Sequence, residues 1–253
     1  MNNIPKNIFN KKRQNIIPIL TATAISFGAL MGGIDNANSA EATPKALWTK
    51  GLDILKKNIA ESDHLARGVF VLDAKQKGHW IGYGEDYQAV EPITEYLEKN
   101  PNDNTLCYIT TVPKEVAAKK AGLSKENLPE TLSFPPSNGD VADVDEFGAI
   151  EQAFENGNNM QFATIGPNGL WYYDKADNNN NKKENLKPAL ERLKDMSEAR
   201  NEYINKSKDS SPIELYEKLQ NAYNNIGIKV RFVSYEDLAK EPPCAGVDYK
   251  PNW

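Results

Sequence analysis

Residues 160–173 of this chain are MQFATIGPNGLWYY, and this stretch decides the fold class. Two runs of mostly apolar and aromatic residues, 160–165 and 170–173, flank the sequence Gly166-Pro167-Asn168-Gly169. An Asn-Gly pair between two such runs is a strong signal for a tight β-turn. We therefore expect two antiparallel strands joined as a hairpin.

Further strands and helices are predicted on both sides of this hairpin. Strand patterns occur at 67–72, 79–83, 105–110 and 228–233, and the first two form a second hairpin. Helical periodicity occurs at 46–60, 91–99, 114–121, about 140–155, 186–204 and 212–226. Strands and helices interleave without strict alternation. This order predicts an α+β fold, with a mixed sheet flanked by helices in three layers and a C-terminal helical pair.

The first 42 residues have the layout of a secretory signal peptide. Four basic residues between positions 6 and 13 precede an uncharged apolar stretch at 16–34, and small residues follow. We expect cleavage, so that the mature chain begins between Ala40 and Thr43. The alternative is an N-terminal membrane anchor, since the apolar stretch is nearly long enough to span a bilayer. One proline and three glycines make that stretch a poor permanent helix.

The charge of the mature chain limits its partners. Removal of residues 1–40 takes away four basic residues and one acidic residue, so the net charge falls from -5 to about -8. Such a surface is repelled by nucleic-acid phosphates and by anionic lipid head groups. We expect a periplasmic or secreted protein that binds neither nucleic acid nor, after cleavage, a membrane.

The two cysteines are predicted to pair. Cys107 lies in a predicted strand and Cys244 in the C-terminal tail. An exported chain meets oxidising conditions in which two thiols can form a disulfide. The alternative is a pair of free thiols, one buried and one exposed.

Few residues suggest catalysis. His64, His79 and Cys107 are candidates for a thiol hydrolase if Cys107 and His79 meet on neighbouring strands. A cluster of acidic residues near the start of the fourth predicted helix is a candidate metal site, but the helix dipole alone accounts for acids there. That cluster consists of Asp140, Asp143, Asp145 and Glu146.

Residues 65–173 resemble a family of metallopeptidase domains. The first strand of that domain type is matched by residues 68–71, and the end of a later strand by residues 108–113. The loop before a helix is matched by Pro135-Pro136-Ser137-Asn138-Gly139-Asp140, and the following hairpin by residues 166–173. This arrangement is similar to the JAB/MPN (JAMM) family. Only Ser137 and Asp140 keep that family's Ser-x-x-Asp motif.

The resemblance implies a domain that has lost its metal site. In that family two histidines and an aspartate hold zinc and a glutamate relays a proton, and Thr110 and Val112 stand where the histidines are expected. No glutamate directly precedes Gly68. The implied protein has no catalytic residue, no metal and no cofactor.

The implied function is recognition of a protein or peptide by residues 43–175, with 176–253 packing on this core. The predicted binding residues are Thr110, Thr111, Val112, Pro113, Ser137 and Asp140. The alternatives are an exported hydrolase, using a thiol, a metal or a pair of carboxylates, and a secreted virulence-type effector.

Overall fold

The computed structural model describes residues 43–73, 75–85, 87–100, 105–129, 131–144, 159–176, 188–209 and 213–250. These residues belong to one compact unit that begins at Ala42. The predicted signal peptide and the cleavage site within it lie outside the described residues, apart from Thr43.

Six strands of the described chain form a mixed sheet. They are β1 (Arg67–Leu72), β2 (Gly78–Gly84), β3 (Thr105–Thr111), β4 (Asn159–Gly166), β5 (Gly169–Lys175) and β6 (Ile228–Ser234). Their order across the sheet is β2-β1-β3-β4-β5-β6. Strands β3 and β4 are parallel, whereas the other four neighbouring pairs are antiparallel. Both predicted hairpins, β1–β2 and β4–β5, are present.

Seven helices accompany the sheet within the described ranges. They are α1 (Pro44–Glu61), α2 (Val90–Lys99), α3 (Lys114–Ala121), α4 (138–144, as far as it is described), α5 (Ala189–Lys206), α6 (Ile213–Asn224) and α7 (Tyr235–Leu238). The rest of the helix predicted to reach residue 155 lies outside the described residues. Among the described helices, none combines the length and the apolar composition that crossing a bilayer requires.

Local signals explain where several helices begin and end. The Thr43 hydroxyl accepts a hydrogen bond from the Ala46 N–H (3.3 Å) and Pro44 occupies the first turn, so α1 begins there. Gly122 has φ +67° after α3, and Gly227 has φ +82° after α6. Glycine takes this left-handed conformation without steric cost, so Gly122 ends α3 and Gly227 closes the turn between α6 and β6.

Helices cover both faces of the sheet and create three layers. Alternation along β3 sends Leu106 and Tyr108 to one face and Cys107 and Ile109 to the other. Residues of α2, α4, α5 and α6 pack on the first face. Residues of α1, α7 and the C-terminal segment (residues 241–250) pack on the second. The α+β prediction, with a mixed sheet flanked by helices, is confirmed.

The C-terminal part of the chain is built into this sheet. Strand β6 pairs with β5 over seven residues, from Gly169 opposite Ser234 to Lys175 opposite Ile228. Helices α5 and α6, the predicted C-terminal pair, share a buried cluster with β1, β3, β4 and β5. Residues 188–250 therefore contribute to the same core as residues 43–175.

Candidate binding site at the carboxyl ends of β3 and β4

The two parallel strands end side by side. Thr110 and Thr164 are register partners near the ends of β3 and β4, and their hydroxyl oxygens lie 3.2 Å apart. Both side chains are buried. Loops that follow parallel strands meet at the same sheet edge, which is where sheets of this kind commonly hold ligands. The chain after β3 leads to α3, and α4 begins beside Thr110.

Asp140 joins α4 to the end of β3. Its Oδ2 accepts hydrogen bonds from the Ser137 N–H and the Ser137 hydroxyl, both at 2.6 Å. Its Oδ1 accepts a hydrogen bond from the Thr110 hydroxyl (3.2 Å). The Asp140 N–H donates in return to Ser137 Oγ (3.4 Å). This reciprocal pattern is that of a capping box at the first turn of α4.

The loop before α4 is held by two other helices. Arg200 of α5 donates through Nε to the carbonyl oxygens of Pro135 (2.8 Å) and Pro136 (3.1 Å). The Tyr223 hydroxyl of α6 also donates to the Pro136 carbonyl oxygen. These contacts fix the position of Ser137 relative to the sheet.

Two cations and one carboxylate interact at this end of the molecule. Lys120 of α3 reaches solvent, yet the protein packed around it lowers the pKa of its ammonium group. Arg200 lowers this pKa further, while Asp140 opposes the shift. Lys120 and Arg200 together carry two positive charges against the single negative charge of Asp140.

Buried tyrosines lie behind the polar cluster. Burial raises the pKa of Tyr173 well above its usual value, and the charge of Asp140 adds to the shift while Thr164 opposes it. Burial also raises the pKa of Tyr223, where Arg200 acts in the opposite direction. These phenols therefore stay neutral at physiological pH and do not supply a base.

The structure brings some predicted site residues together and separates others. Thr110, Ser137 and Asp140 converge, but Val112 packs in a different apolar cluster with Ala117 and Phe134. The Val112 N–H donates to the Ile165 carbonyl oxygen (2.8 Å) and so extends the parallel ladder. Val112 therefore does not join Thr110 and Asp140 in one cluster.

Two other predicted binding residues, Thr111 and Pro113, are buried inside the protein. The Thr111 hydroxyl accepts from the Ala66 N–H (2.7 Å) and donates to Asn58 Oδ1 (3.2 Å). Pro113 precedes α3 and is buried, as are Thr111 and Val112. Little surface of these residues is open to a partner, whereas Ser137 and Asp140 are partly exposed.

The proposed thiol–imidazole pair does not form. Val71 of β1 is the register partner of His79 on one side and of Leu106 on the other, which places His79 on the face of Leu106. Cys107 faces the opposite side, in the cluster beneath α1. His79 instead packs against the Tyr96 ring, with ring centroids 5.3 Å apart. His64 is exposed and pairs with Asp63 (2.5 Å).

Two members of the acidic cluster, Asp145 and Glu146, lie outside the described residues. Within the ranges that the structure describes, no three His, Cys, Asp or Glu side chains form a group able to hold a metal ion.

Sequence reasoning did not find Lys120, Arg200 and Thr164 as members of this site. Lys120 and Arg200 each sit in a charged helix, where such residues are ordinary solvent-facing positions. Thr164 lies within an apolar strand. Their association depends on the parallel pairing of β3 with β4 and on the packing of α5, and neither leaves a pattern in the sequence.

Compared with known proteins, the chain matches no family model, no curated protein and no solved structure. The resemblance to JAB/MPN domains stays a prediction that depends on Ser137, Asp140 and the order of the surrounding elements.

Proposed function

We propose that this chain is an exported, non-catalytic binding protein that recognises an acidic segment of a protein or peptide. The contact surface consists of Lys120, Ser137 and the exposed first turn of α4, next to Arg200. A carboxylate of the partner would lie against Lys120. Export follows from the signal-peptide layout of residues 1–42.

The observation that carries this proposal is that two cations, Lys120 and Arg200, act on each other beside Asp140. The Asp140 carboxylate already accepts hydrogen bonds from Ser137 and Thr110. Burial lowers the pKa of Lys120, and the charge of Arg200 lowers it further because the two positive charges repel each other. Asp140 is oriented toward Thr110 and Ser137. A partner carboxylate at Lys120 would relieve the repulsion, and a charge-assisted hydrogen bond would form at the same time.

The same geometry favours a binding role over metal-dependent hydrolysis. A catalytic zinc needs three protein ligands and an open position. Near Asp140 the structure offers Thr110 and Ser137, whose hydroxyl groups are poor ligands for zinc because they are not ionised at neutral pH. A degenerate JAB/MPN-like domain would keep its Ser-x-x-Asp motif as a helix cap, in agreement with the contacts of Asp140.

Selection from a random peptide display library tests the proposal. The full-length secreted protein serves as bait, and Lys120→Glu serves as the counter-bait. We expect the enriched peptides to contain Asp or Glu at a fixed position and to be lost on the Lys120→Glu bait. Peptides without an acidic residue, or equal enrichment on both baits, would contradict the proposed chemistry.

Elemental analysis and a peptidase assay of the same preparation address the hydrolase alternative. We expect less than stoichiometric zinc and no cleavage of peptide or isopeptide substrates. Tightly bound zinc, or cleavage that a chelator abolishes, would support a metallohydrolase instead.

A further inference from the structure

The two cysteines meet beneath the C-terminal segment. Cys107 lies in the middle of β3 and is fully buried, while Cys244 lies in the segment 241–250 and is only 7% exposed. Both belong to the apolar cluster on the α1 face of the sheet. Both are free thiols in the structure, as the sequence alternative has them, but neither is exposed.

The two thiols are in direct contact. Burial raises the pKa of the Cys244 thiol well above its usual value, and a hydrogen bond with Cys107 raises it further. Tyr172 belongs to the same buried cluster, where burial raises the pKa of its phenol and both cysteines add to the shift.

The backbone of the C-terminal segment turns sharply at the cysteine. Cys244 has φ +53°, the left-handed conformation that residues with a side chain rarely adopt. A strained conformation persists only when the surroundings fix it. Here it directs the Cys244 side chain into the core, toward β3.

Polar contacts hold the segment against the sheet on both sides of Cys244. Arg231 of β6 forms a fork with Glu241, through Nη1 to Oε1 (2.6 Å) and Nη2 to Oε2 (2.9 Å). Arg231 Nε also donates to the Gly246 carbonyl oxygen (2.9 Å). Glu241 is 3% exposed, so this ion pair is shielded from solvent. The Lys45 ammonium group donates to the carbonyl oxygen of Glu241.

We propose that Cys107 and Cys244 are joined by a disulfide that fastens the C-terminal segment to the centre of the sheet. The oxidant is a disulfide of an exchange partner, such as oxidised glutathione or a dithiol oxidoreductase. One cysteine thiolate attacks that disulfide and releases one partner thiol. The second cysteine thiolate then attacks the mixed disulfide and releases the other, so the chain loses two protons and two electrons.

The bridge forms before the segment closes over the sheet. A buried thiol whose pKa is raised contains almost no thiolate and cannot attack a disulfide. Oxidation therefore occurs during folding, and packing of 241–250 then protects the bond from reductants. The bond is structural and resists reduction as long as the segment stays closed.

Thiol counting on the full chain, refolded in mixed reduced and oxidised glutathione, tests the bridge without any substitution. The protein is denatured, and iodoacetamide is added with or without prior reduction. We expect no labelled cysteine in the unreduced sample and two labelled cysteines after reduction. Two labels in the unreduced sample, or a disulfide-linked dimer, would overturn the proposal.

Thermal unfolding measures what the bridge does. The oxidised wild type should unfold about 10 °C above the same protein after reduction, because the bridge closes a very long loop of chain. The double variant Cys107→Ala, Cys244→Ala should show the same Tm under both conditions. A wild-type Tm that does not respond to reduction would overturn the fastening role, and this comparison does not depend on whether the variant folds.

Reductant access tests whether the segment shields the bond. Glu241→Gln removes the charge that pairs with Arg231, and Glu236→Gln removes an exposed charge nearby as the matched control. We expect dithiothreitol to reduce folded Glu241→Gln at least about 10-fold faster than wild type, by the shift in the opening equilibrium. The control should match wild type. Equal rates in all three proteins would show that the Arg231–Glu241 pair does not keep reductant from the bond.

Discussion

Asp140 accepts hydrogen bonds from the Ser137 N–H and hydroxyl and from the Thr110 hydroxyl, and this satisfies the carboxylate within the fold. These contacts stabilise the start of α4. The Ser-x-x-Asp spacing was sufficient to predict a helix beginning at this point, because the cap is made by residues close in sequence. Its contact with Thr110 could be expected only through the JAB/MPN resemblance.

Replacement of Asp140 separates a capping role from a catalytic one. We expect Asp140→Ala to lower the free energy of unfolding by about 1 kcal/mol, since the cap and the Thr110 contact are lost. Asp140→Asn keeps an acceptor at the cap and should lose less. Urea denaturation of the three proteins measures this. A gain in stability on Asp140→Ala, as seen when strained active-site groups are removed, would contradict the capping role.

The buried ion pair between Arg231 and Glu241 leads to a second prediction about single residues. Glu241→Gln leaves Arg231 without its counter-charge in a shielded position, so we expect a loss of about 3 kcal/mol. Glu236→Gln breaks only the exposed contact with Lys240, and its effect should stay within about 0.5 kcal/mol. Urea denaturation measures the free energy of unfolding of each variant. Similar small losses for both changes would show that the Arg231–Glu241 pair does not anchor segment 241–250.

At the scale of elements, α1 packs closely on β2 through a glycine. A Cβ atom on Gly51 would lie 2.0 Å from the Trp80 ring, whose Nε1 donates to the Leu47 carbonyl oxygen (3.1 Å). The sequence predicted α1 and β2 as separate elements from their own periodicities. It did not predict this contact, since a glycine within a helix has no pattern that reveals what it faces.

Two glycine-to-alanine changes in helices test this packing. Gly51→Ala should destabilise the protein by about 2–3 kcal/mol, because the methyl group must displace Trp80 or the helix. Gly139→Ala in α4 is the matched control, where the nearest atom is 3.6 Å away. It should be neutral or stabilising by up to about 1 kcal/mol, because alanine favours the helix. A stabilising Gly51→Ala would refute the close contact of α1 with β2.

At the scale of the whole molecule, strand and helix types were predictable because their periodicities are local. The sheet order was not, since nothing near Thr105–Thr111 or Asn159–Gly166 encodes that these two strands are parallel neighbours. The association of Lys120 with Arg200 follows from that pairing and was missed for the same reason. The incorporation of β6 beside β5 also depends on contacts between distant segments.

Tyrosine burial predicts how the molecule responds to alkaline pH. Burial raises the pKa of nine tyrosines of the described chain: Tyr83, Tyr87, Tyr108, Tyr172, Tyr173, Tyr203, Tyr216, Tyr223 and Tyr235. For Tyr87 the pKa rises from 10.0 to about 12. A raised phenol pKa means that the folded state binds the proton more tightly than the unfolded state.

The stability linked to these phenols is fully present below pH 10 and is lost as the pH rises toward 12 and beyond. We expect the urea midpoint to fall steeply between these values. Tyrosinate absorbance should appear together with unfolding, whereas the urea-unfolded chain should titrate near pH 10. Titration of most tyrosines near 10 in the folded protein would contradict the burial described here.

The most direct test of the proposed function is the coupling between Lys120 and the acidic residue of a selected peptide. Affinities are measured by calorimetry for wild type, Lys120→Glu and Lys119→Glu, each with the acidic peptide and its amide counterpart. Lys119 is the matched control, because it is also exposed on α3 and directly precedes Lys120. We predict that Lys120→Glu lowers the affinity for the acidic peptide at least about 10-fold, as expected for loss of a charge-assisted hydrogen bond. The same variant should lose much less affinity for the amide peptide. Lys119→Glu should bind both peptides with wild-type affinity. Equal losses for the two lysine variants, or no dependence on the peptide carboxylate, would contradict the proposed binding site.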